Sequence, residues 1–151
     1  MCIRDSSQGV KIIPANDDPQ EYWADEVRLS TLPPNSKDAW PKYLYASTRG
    51  LQAETKGYVA IFALKQDGSF ESEEAIHIWE TPTSGGIANA IEPAPWREDA
   101  GGIEYLAMTD SEEGWVFVLS FDGREIKEVA RFNLGKTDDG KVVQAATAVW
   151  L

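Results

Sequence analysis

The sequence repeats an ordered set of motifs, which restricts the chain to a repeat architecture. The segment PKYLYASTRG at 41–50 is matched by IEYLAMTDSE at 103–112, and GYVAIFALKQDGSF at 57–70 is matched by GWVFVLSFDGREI at 114–126. A third motif precedes each copy, as ADEVRLS from residue 24 and as ANAIEP from residue 88, and it returns as ATAVWL from residue 146. The starts of this third motif are 64 and 58 residues apart.

Each repeat unit predicts four β-strands. Its apolar runs are short, rich in Val, Ile, Tyr, Phe and Trp, and bounded by Gly, Pro, Asp or Ser. The pairs Asp67-Gly68 and Asp122-Gly123 are typical of turns that close a third strand onto a fourth. The predicted strands are 25–30, 42–48, 58–65 and 75–80 in the first unit, and 89–93, 104–109, 115–121 and 126–134 in the second.

Four-stranded antiparallel sheets repeated at this spacing are the blades of a β-propeller. We therefore predict an all-β chain with blades at 24–80 and 88–134 and a closing strand at 146–151. Two blades and one strand cannot close a ring, so residues 7–151 are expected to be the C-terminal part of one larger propeller domain. The opening MCIRDS, residues 1–6, has no periodicity and no helix cap, and we predict that it is a non-native leader.

Charge and composition exclude several classes of protein. The net charge is -11, with 25 acidic and 14 basic residues, whereas a nucleic-acid partner requires a basic surface. No apolar run is long enough to cross a bilayer and no signal-peptide pattern opens the chain, so we expect no membrane partner and a cytoplasmic location. Cys2 and His77 are the only cysteine and histidine, and we therefore expect no metal site.

Strand parity predicts where a ligand would bind. In an up-down-up-down blade, the loop that enters the first strand and the loop that joins the second and third strands lie on the same face, which brings 81–87, 49–56 and 110–113 together. Arg49 ends the second strand and is therefore predicted to reach the rim of this face. The alternative is a surface arginine that forms a weak ion pair with the next blade. Its partner would then be Asp110, Glu112 or Glu113.

Other polar residues are weaker candidates for substrate binding. Ser84, Gly85 and Gly86 either form a nest of backbone N–H groups for a phosphate or carboxylate, or simply a tight link between blades. Glu26 and Asn89 are predicted to line the central channel, where they bind substrate or satisfy each other and buried waters. His77 lies on an outer strand and is predicted to be structural, so a Ser-His-Asp hydrolase is not supported.

Seven segments in order between residues 9 and 151 together resemble the fungal 3-carboxy-cis,cis-muconate cyclase family, the carboxymuconate lactonizing enzymes. These segments are YWADEVRLS, PKYLYASTRGL, KGYVAIFAL, ETPTSGG, EYLAMTDSEEGWVFVLSFDG, EVARFNL and ATAVWL. The family is similar to bacterial 6-phosphogluconolactonases of the seven-bladed lactonase type. The resemblance implies a seven-bladed propeller and an intramolecular lyase that interconverts 3-carboxy-cis,cis-muconate and its carboxymuconolactone. It places the enzyme in the β-ketoadipate pathway of aromatic catabolism and implies no metal or organic cofactor.

The same resemblance implies that Arg49 binds a carboxylate of a small anionic substrate, a polycarboxylate or lactone, and stabilises enolate-like charge. A histidine, a second arginine and a glutamate would come from earlier blades, so the fragment alone is expected to be inactive. Its two open sheet edges are compatible with a homo-oligomer. Two alternatives stay open: a lactone hydrolase similar to 6-phosphogluconolactonase, and a non-catalytic ligand-binding propeller. GGIANAI at 85–91 lacks a histidine that the bacterial lactonases carry there, which is against the hydrolase.

Overall fold

Eight strands form two four-stranded antiparallel sheets in the computed structural model, which describes residues 9–34 and 39–151. Two short 3-10 helices, Pro19–Glu21 and Glu98–Ala100, accompany them. The strands are β1 Tyr22–Leu29, β2 Tyr43–Gly50, β3 Tyr58–Ala63, β4 His77–Glu80, β5 Ile91–Pro93, β6 Glu104–Asp110, β7 Trp115–Phe121 and β8 Ile126–Asn133. The predicted leader, residues 1–6, lies outside the described residues.

Each sheet is a meander in which consecutive strands pair, with the orders β1-β2-β3-β4 and β5-β6-β7-β8. The backbones of the two sheets lie next to each other at their first strands, β1 and β5. Two adjacent four-stranded antiparallel sheets of this kind are consistent with propeller blades, and the predicted all-β fold class is confirmed. The predicted division into blades at 24–80 and 88–134 stays a prediction.

Four strands are shorter than predicted, and β8 lacks only the last predicted residue because it ends at Asn133. β3 ends at Ala63, and Leu64 forms only an isolated bridge with Phe70 beyond it. β4 begins at His77 instead of residue 75, and β5 begins at Ile91 instead of residue 89. Just before β5, the Asn89 N–H donates to Oδ2 of Asp25 on the first sheet, as the N–H of Ile91 within β5 does to Glu26.

Residues 146–151, the predicted closing strand, form no strand with either described sheet. The indole N–H of Trp150 instead donates to the backbone oxygen of Glu92 at 2.9 Å. The blade that this segment was predicted to complete is not part of the chain, so the closing role stays a prediction.

The hydrophobic core lies between the two sheets. On the first sheet, Tyr45, Val59 and Ile61 share one face because they alternate along β2 and β3 and pair across them. The second sheet contributes Ile91, Leu106, Met108, Phe117, Leu119, Phe121 and Ile126. The Tyr43 ring meets Phe121 edge-on at 5.0 Å. Each fully buried side chain of this size contributes roughly 1.5–3 kcal/mol, so the two sheets stabilise each other.

The opposite face of the central strands β2 and β3 is also buried, which explains why these strands are apolar almost without alternation. Phe62 points away from the second sheet and is fully buried, with Phe70 against it at a ring distance of 5.5 Å. A strand that is covered on both faces reads as a continuous apolar run.

Two polar side chains also join the sheets within this interface. The hydroxyl of Tyr45 donates to Glu104 at 2.6 Å, and Nδ1 of His77 accepts the backbone N–H of Ile126 at 2.8 Å. The latter contact supports the structural interpretation of His77, since the ring replaces a missing backbone acceptor.

A candidate anion-binding cleft

The end of β2, the link between the sheets and the turn after β6 lie next to one another at one rim of the two sheets. The backbone N–H of Gly50 donates to Ser84 at 3.1 Å, which joins the end of β2 to the link at 81–88. A cleft of about 340 Å³ opens there. It is lined by Arg49, Gly50, Leu51, Gln52, Ala53, Ser84, Gly86, Ile87, Glu112 and Gln144.

Arg49 is the cationic residue of this cleft lining, and three groups hold its guanidinium. Nη1 donates to the backbone oxygen of Gly86 at 2.7 Å, and Nε lies 3.7 Å from Oδ1 of Asp25. The central carbon lies 4.5 Å from the centroid of the Trp23 ring, a cation–π distance. Within the described chain, Nη2 has no hydrogen-bond or ion-pair partner. Nη2 is therefore the guanidinium nitrogen that these contacts leave for an anion.

The alternative partners considered for Arg49 do not pair with it in the described residues. Asp110 is almost fully buried, and its Oδ1 accepts the backbone N–H groups of Glu112 and Glu113 at 2.8 and 2.9 Å. Its Oδ2 accepts the hydroxyl of Thr83. Asp110 therefore fixes the link and the turn that form the cleft wall.

A bulge in β1 places two neighbouring carboxylates against the second sheet. The β1–β2 register shifts between Ala24 and Val27, so Asp25 and Glu26 share one opposing position. Oδ2 of Asp25 accepts the N–H of Asn89 at 2.7 Å, and Oε2 of Glu26 accepts the N–H of Ile91 at 2.8 Å. Burial raises the pKa of Asp25 above its ordinary value, and the N–H of Asn89 and the charge of Arg49 oppose that rise.

Glu26 also forms an ion pair with Arg28, whose Nε reaches Glu92 on β5 at 2.9 Å. Its contacts therefore join the first strands of the two sheets, and it does not line the Arg49 cleft. Substrate binding by Glu26 stays a prediction, and the bonds that the structure shows are structural.

Asn89 has no exposed surface. Its Nδ2 donates to the backbone oxygen of Thr48 at 2.9 Å, and a Cβ on Gly57 or Gly85 would lie 2.7 or 2.5 Å from its amide group. The side chain is thus enclosed between backbone segments. A direct contact with substrate stays a prediction, whereas the structure shows a side chain that joins β2 to the link.

The backbone N–H groups of the link are largely bonded within the protein. Ser84 Oγ accepts from Gly86 at 3.3 Å, and Ser111 Oγ accepts from Ile87 and Ala88 at 2.8 and 3.0 Å. Gly85 and Gly86 have φ values of +88° and +63°. These observations favour the tight link over the anion nest, although Ser84 and Gly86 do line the cleft. Binding by 84–86 stays a prediction.

Comparisons with known proteins agree with the motifs quoted above. The chain is 38% identical over 144 residues to muconate cycloisomerase 1 of Cutaneotrichosporon cutaneum, a match that covers 95% of the chain and 36% of that protein. It is 35% identical over 109 residues to carboxy-cis,cis-muconate cyclase of Neurospora crassa, which covers 72% of the chain and 26% of that protein. The chain is a relative of these fungal muconate cyclases. No family model matches it.

The predicted resemblance to the fungal carboxymuconate cyclases is thereby confirmed. The chain spans about a third of the length of the first relative and about a quarter of the second. Whatever these two enzymes bind outside the matched segments is therefore not represented in the structure.

Two residues that contact the Arg49 guanidinium were missed from the sequence, namely Trp23 and Asp25. The register pairs Trp23 directly with Arg49, and directly paired residues share a face of the sheet. A correct β1–β2 register would have identified Trp23, but the apolar pattern alone does not fix that register.

Residues 9–34 and 39–151 contain neither a group of metal ligands nor a membrane-spanning helix. No three His, Cys, Asp or Glu side chains of residues 9–34 and 39–151 are grouped so that they could hold a metal ion. None of the helices described is both long and apolar enough to span a membrane.

Proposed function

We propose that this chain is part of an intramolecular lyase that interconverts 3-carboxy-cis,cis-muconate and its carboxymuconolactone. The names of the two relatives support the reaction class. The observation that carries the proposal is the guanidinium of Arg49, which lines a cleft with Nη2 unpartnered among the described residues, in a chain of net charge -11. A substrate with several carboxylates needs such a local cation.

The proposed reaction uses Arg49 as an electrostatic group. In lactone formation, a carboxylate oxygen of the substrate bonds to one carbon of a double bond, and the electron pair of that bond moves toward a neighbouring carboxylate. The enolate-like charge is quenched when a proton is added to carbon. A guanidinium beside that carboxylate stabilises the developing charge through parallel N–H bonds. The proton donor is proposed to lie in the rest of the protein.

Electrostatics favour a short-range role for this residue. The net charge of -11 repels a polycarboxylate at long range, but salt screens that repulsion beyond about 8 Å at physiological ionic strength. A direct guanidinium–carboxylate pair forms well inside this distance. Arg49 is therefore expected to contribute mainly to the bound state and the transition state.

The intact protein should consume 3-carboxy-cis,cis-muconate, as measured by loss of diene absorbance, with cis,cis-muconate tested in parallel because the two relatives differ in their named substrate. Arg49→Ala is expected to lower kcat/KM by roughly 10²–10³, the usual effect of losing one group that stabilises an oxyanion. Arg49→Lys should recover little activity, because lysine keeps the charge but not the planar fork.

Arg28→Ala is the matched control, since Arg28 is an arginine of the same strand pair that bonds Glu26 and Glu92 away from the cleft. It should stay within about twofold of the parent enzyme, as expected for a surface ion pair. Equal activities of the Arg49→Ala and Arg28→Ala proteins would contradict the role of Arg49. Turnover of 6-phosphogluconolactone in place of both muconates would favour the lactone hydrolase, and turnover of none would favour the non-catalytic propeller.

The same proposal includes the finer features of the whole protein. These are a propeller of seven blades, of which this chain would supply two blades and a closing strand, together with a cytoplasmic location and a homo-oligomer. Exposed apolar side chains such as Val27 on β1 and Phe132 on β8, at 57% and 67% exposure, support a further covering surface on both outer sides. Size-exclusion chromatography with light scattering on the intact protein measures the oligomeric state.

A further inference from the structure

We propose that Asp25 and Trp23 are positioning residues of the Arg49 cleft, which orient the guanidinium toward the carboxylate of the bound substrate. The inference deepens the proposed function and rests on it, because it concerns the same site. It assigns a role to two residues of β1 that neither the repeat nor the comparisons identify.

The stacking of Trp23 on Arg49 follows from the sheet register. The two residues are directly paired across β1 and β2, so their side chains leave the sheet on the same face. The guanidinium carbon lies 4.5 Å from the ring centroid, and Trp23 remains 58% exposed. The indole therefore supports one face of the guanidinium and contributes little to the core.

Asp25 forms an ion pair with the guanidinium, and a hydrogen bond from the backbone of Asn89 holds Asp25 in turn. Its Oδ2 accepts the N–H of Asn89 at 2.7 Å, which leaves Oδ1 facing Nε of Arg49 at 3.7 Å. The Asp25 side chain is only 15% exposed and does not line the cleft. It therefore acts on substrate through Arg49 and not by contact.

The two adjacent carboxylates of the β1 bulge have different partners. Glu26 bonds the N–H of Ile91 and pairs with Arg28, so the joint between the first strands does not depend on Asp25 alone. Asp25 remains available for Arg49. Together with the bond from Nη1 to Gly86, the contacts fix a flexible side chain with Nη2 unpartnered among the described residues. A preorganised donor binds an anion without the entropy cost of ordering the side chain.

The test compares Asp25→Asn with Glu92→Gln in the intact protein. Asparagine keeps an oxygen for the N–H of Asn89 but removes the charge next to Arg49. Glu92→Gln makes the same carboxylate-to-amide change on β5, beside a different arginine, Arg28 of β1. We expect Asp25→Asn to raise KM for 3-carboxy-cis,cis-muconate at least fivefold, and Glu92→Gln to leave KM within twofold. Lost stability alone would lower the active fraction, and so the apparent kcat, without changing KM.

A second variant and a binding assay keep the proposal testable if Asp25→Asn does not fold. Trp23→Leu removes an exposed ring and is expected to raise KM about threefold or more. Titration of the intact protein with the unreactive tricarboxylate tricarballylate should change the tryptophan emission in the parent but not in Trp23→Leu, with a midpoint at least fivefold higher in Asp25→Asn.

These outcomes separate the two proposals. Parent turnover with an unchanged KM in both the Asp25→Asn and Trp23→Leu proteins would overturn the positioning roles and leave the proposed function intact. No parent turnover, with tricarballylate binding weakened in Asp25→Asn, would overturn the proposed function and retain the positioning roles for anion binding. Unchanged KM values and tricarballylate midpoints in both variants would overturn the positioning roles outright.

Discussion

Replacing Gly85 with alanine tests whether the link between the two sheets is a packing joint or an anion nest. Gly85 has a φ of +88°, and an added Cβ would lie 2.5 Å from Cγ of Asn89. The left-handed backbone costs an alanine about 1–2 kcal/mol. Overpacking against an enclosed side chain costs about 1–3 kcal/mol more. The variant is therefore expected to lose about 2–5 kcal/mol of unfolding free energy.

Gly68 provides the matched control. Its φ is +83°, and nothing lies within 4 Å of the position that its Cβ would occupy. Gly68→Ala should therefore lose only the backbone share of about 1–2 kcal/mol. The clash with Asn89 should also vanish in an Asn89→Ala background, where Gly85→Ala should cost about as much as Gly68→Ala. A double-mutant cycle measures this coupling, expected at about 1–3 kcal/mol.

The assay is urea unfolding of the intact protein, together with KM for 3-carboxy-cis,cis-muconate. The tight link predicts a larger loss of stability for Gly85→Ala than for Gly68→Ala and a positive coupling to Asn89. Equal stabilities of the Gly85→Ala and Gly68→Ala proteins, with KM raised only in the former, would refute the packing argument. That result would favour an anion nest formed by the backbone N–H groups of the link.

Two further predictions concern the interface between the sheets. Burial raises the pKa of Glu104 above its ordinary value of 4.5. The folded protein therefore keeps the Glu104 carboxyl protonated to higher pH than the unfolded chain does. Ionisation of Glu104 then lowers the free energy of unfolding as pH rises above 4.5. Glu104→Gln should therefore gain Tm relative to the parent between pH 4.5 and pH 7, and parallel Tm curves would contradict this. His77→Phe should lose about 1–3 kcal/mol in urea unfolding at unchanged KM, because the N–H of Ile126 loses its acceptor. A loss equal to that of an exposed substitution such as Lys127→Ala would contradict the structural role.

The strands could be predicted because each is a short apolar run closed by a turn. Tyr58 and Trp115 each follow a glycine and begin their strands at the predicted residues. Strand parity then places Arg49 at a rim without any knowledge of packing. These signals are local in the sequence, so the all-β fold class could be predicted without knowledge of how the sheets pack.

The partners of Arg49 could not be predicted because they depend on the register of β1 against β2. The acidic residues of 110–113 seemed suitable from their position in the next unit, but Asp110 bonds its own turn instead. A bulge adds one residue to one strand and has no fixed sequence signature. From the sequence, Asp25 and Glu26 would be placed on opposite faces of a regular strand, whereas both face the second sheet.

The repeat itself shows why the fold and the site differ in predictability. Leu44 aligns with Leu106 in the quoted motifs, and both lie in the second strand of their sheets. At the end of that strand, however, Arg49 aligns with Ser111, which bonds backbone groups of the link.

Asp25 in turn aligns with Asn89, a buried amide without charge. The cation and its carboxylate thus occur together only in the first of the two repeat units. Such a site can be located at positions where two copies of a repeat differ. The register of β1 against β2 then determines which of the differing residues are in contact.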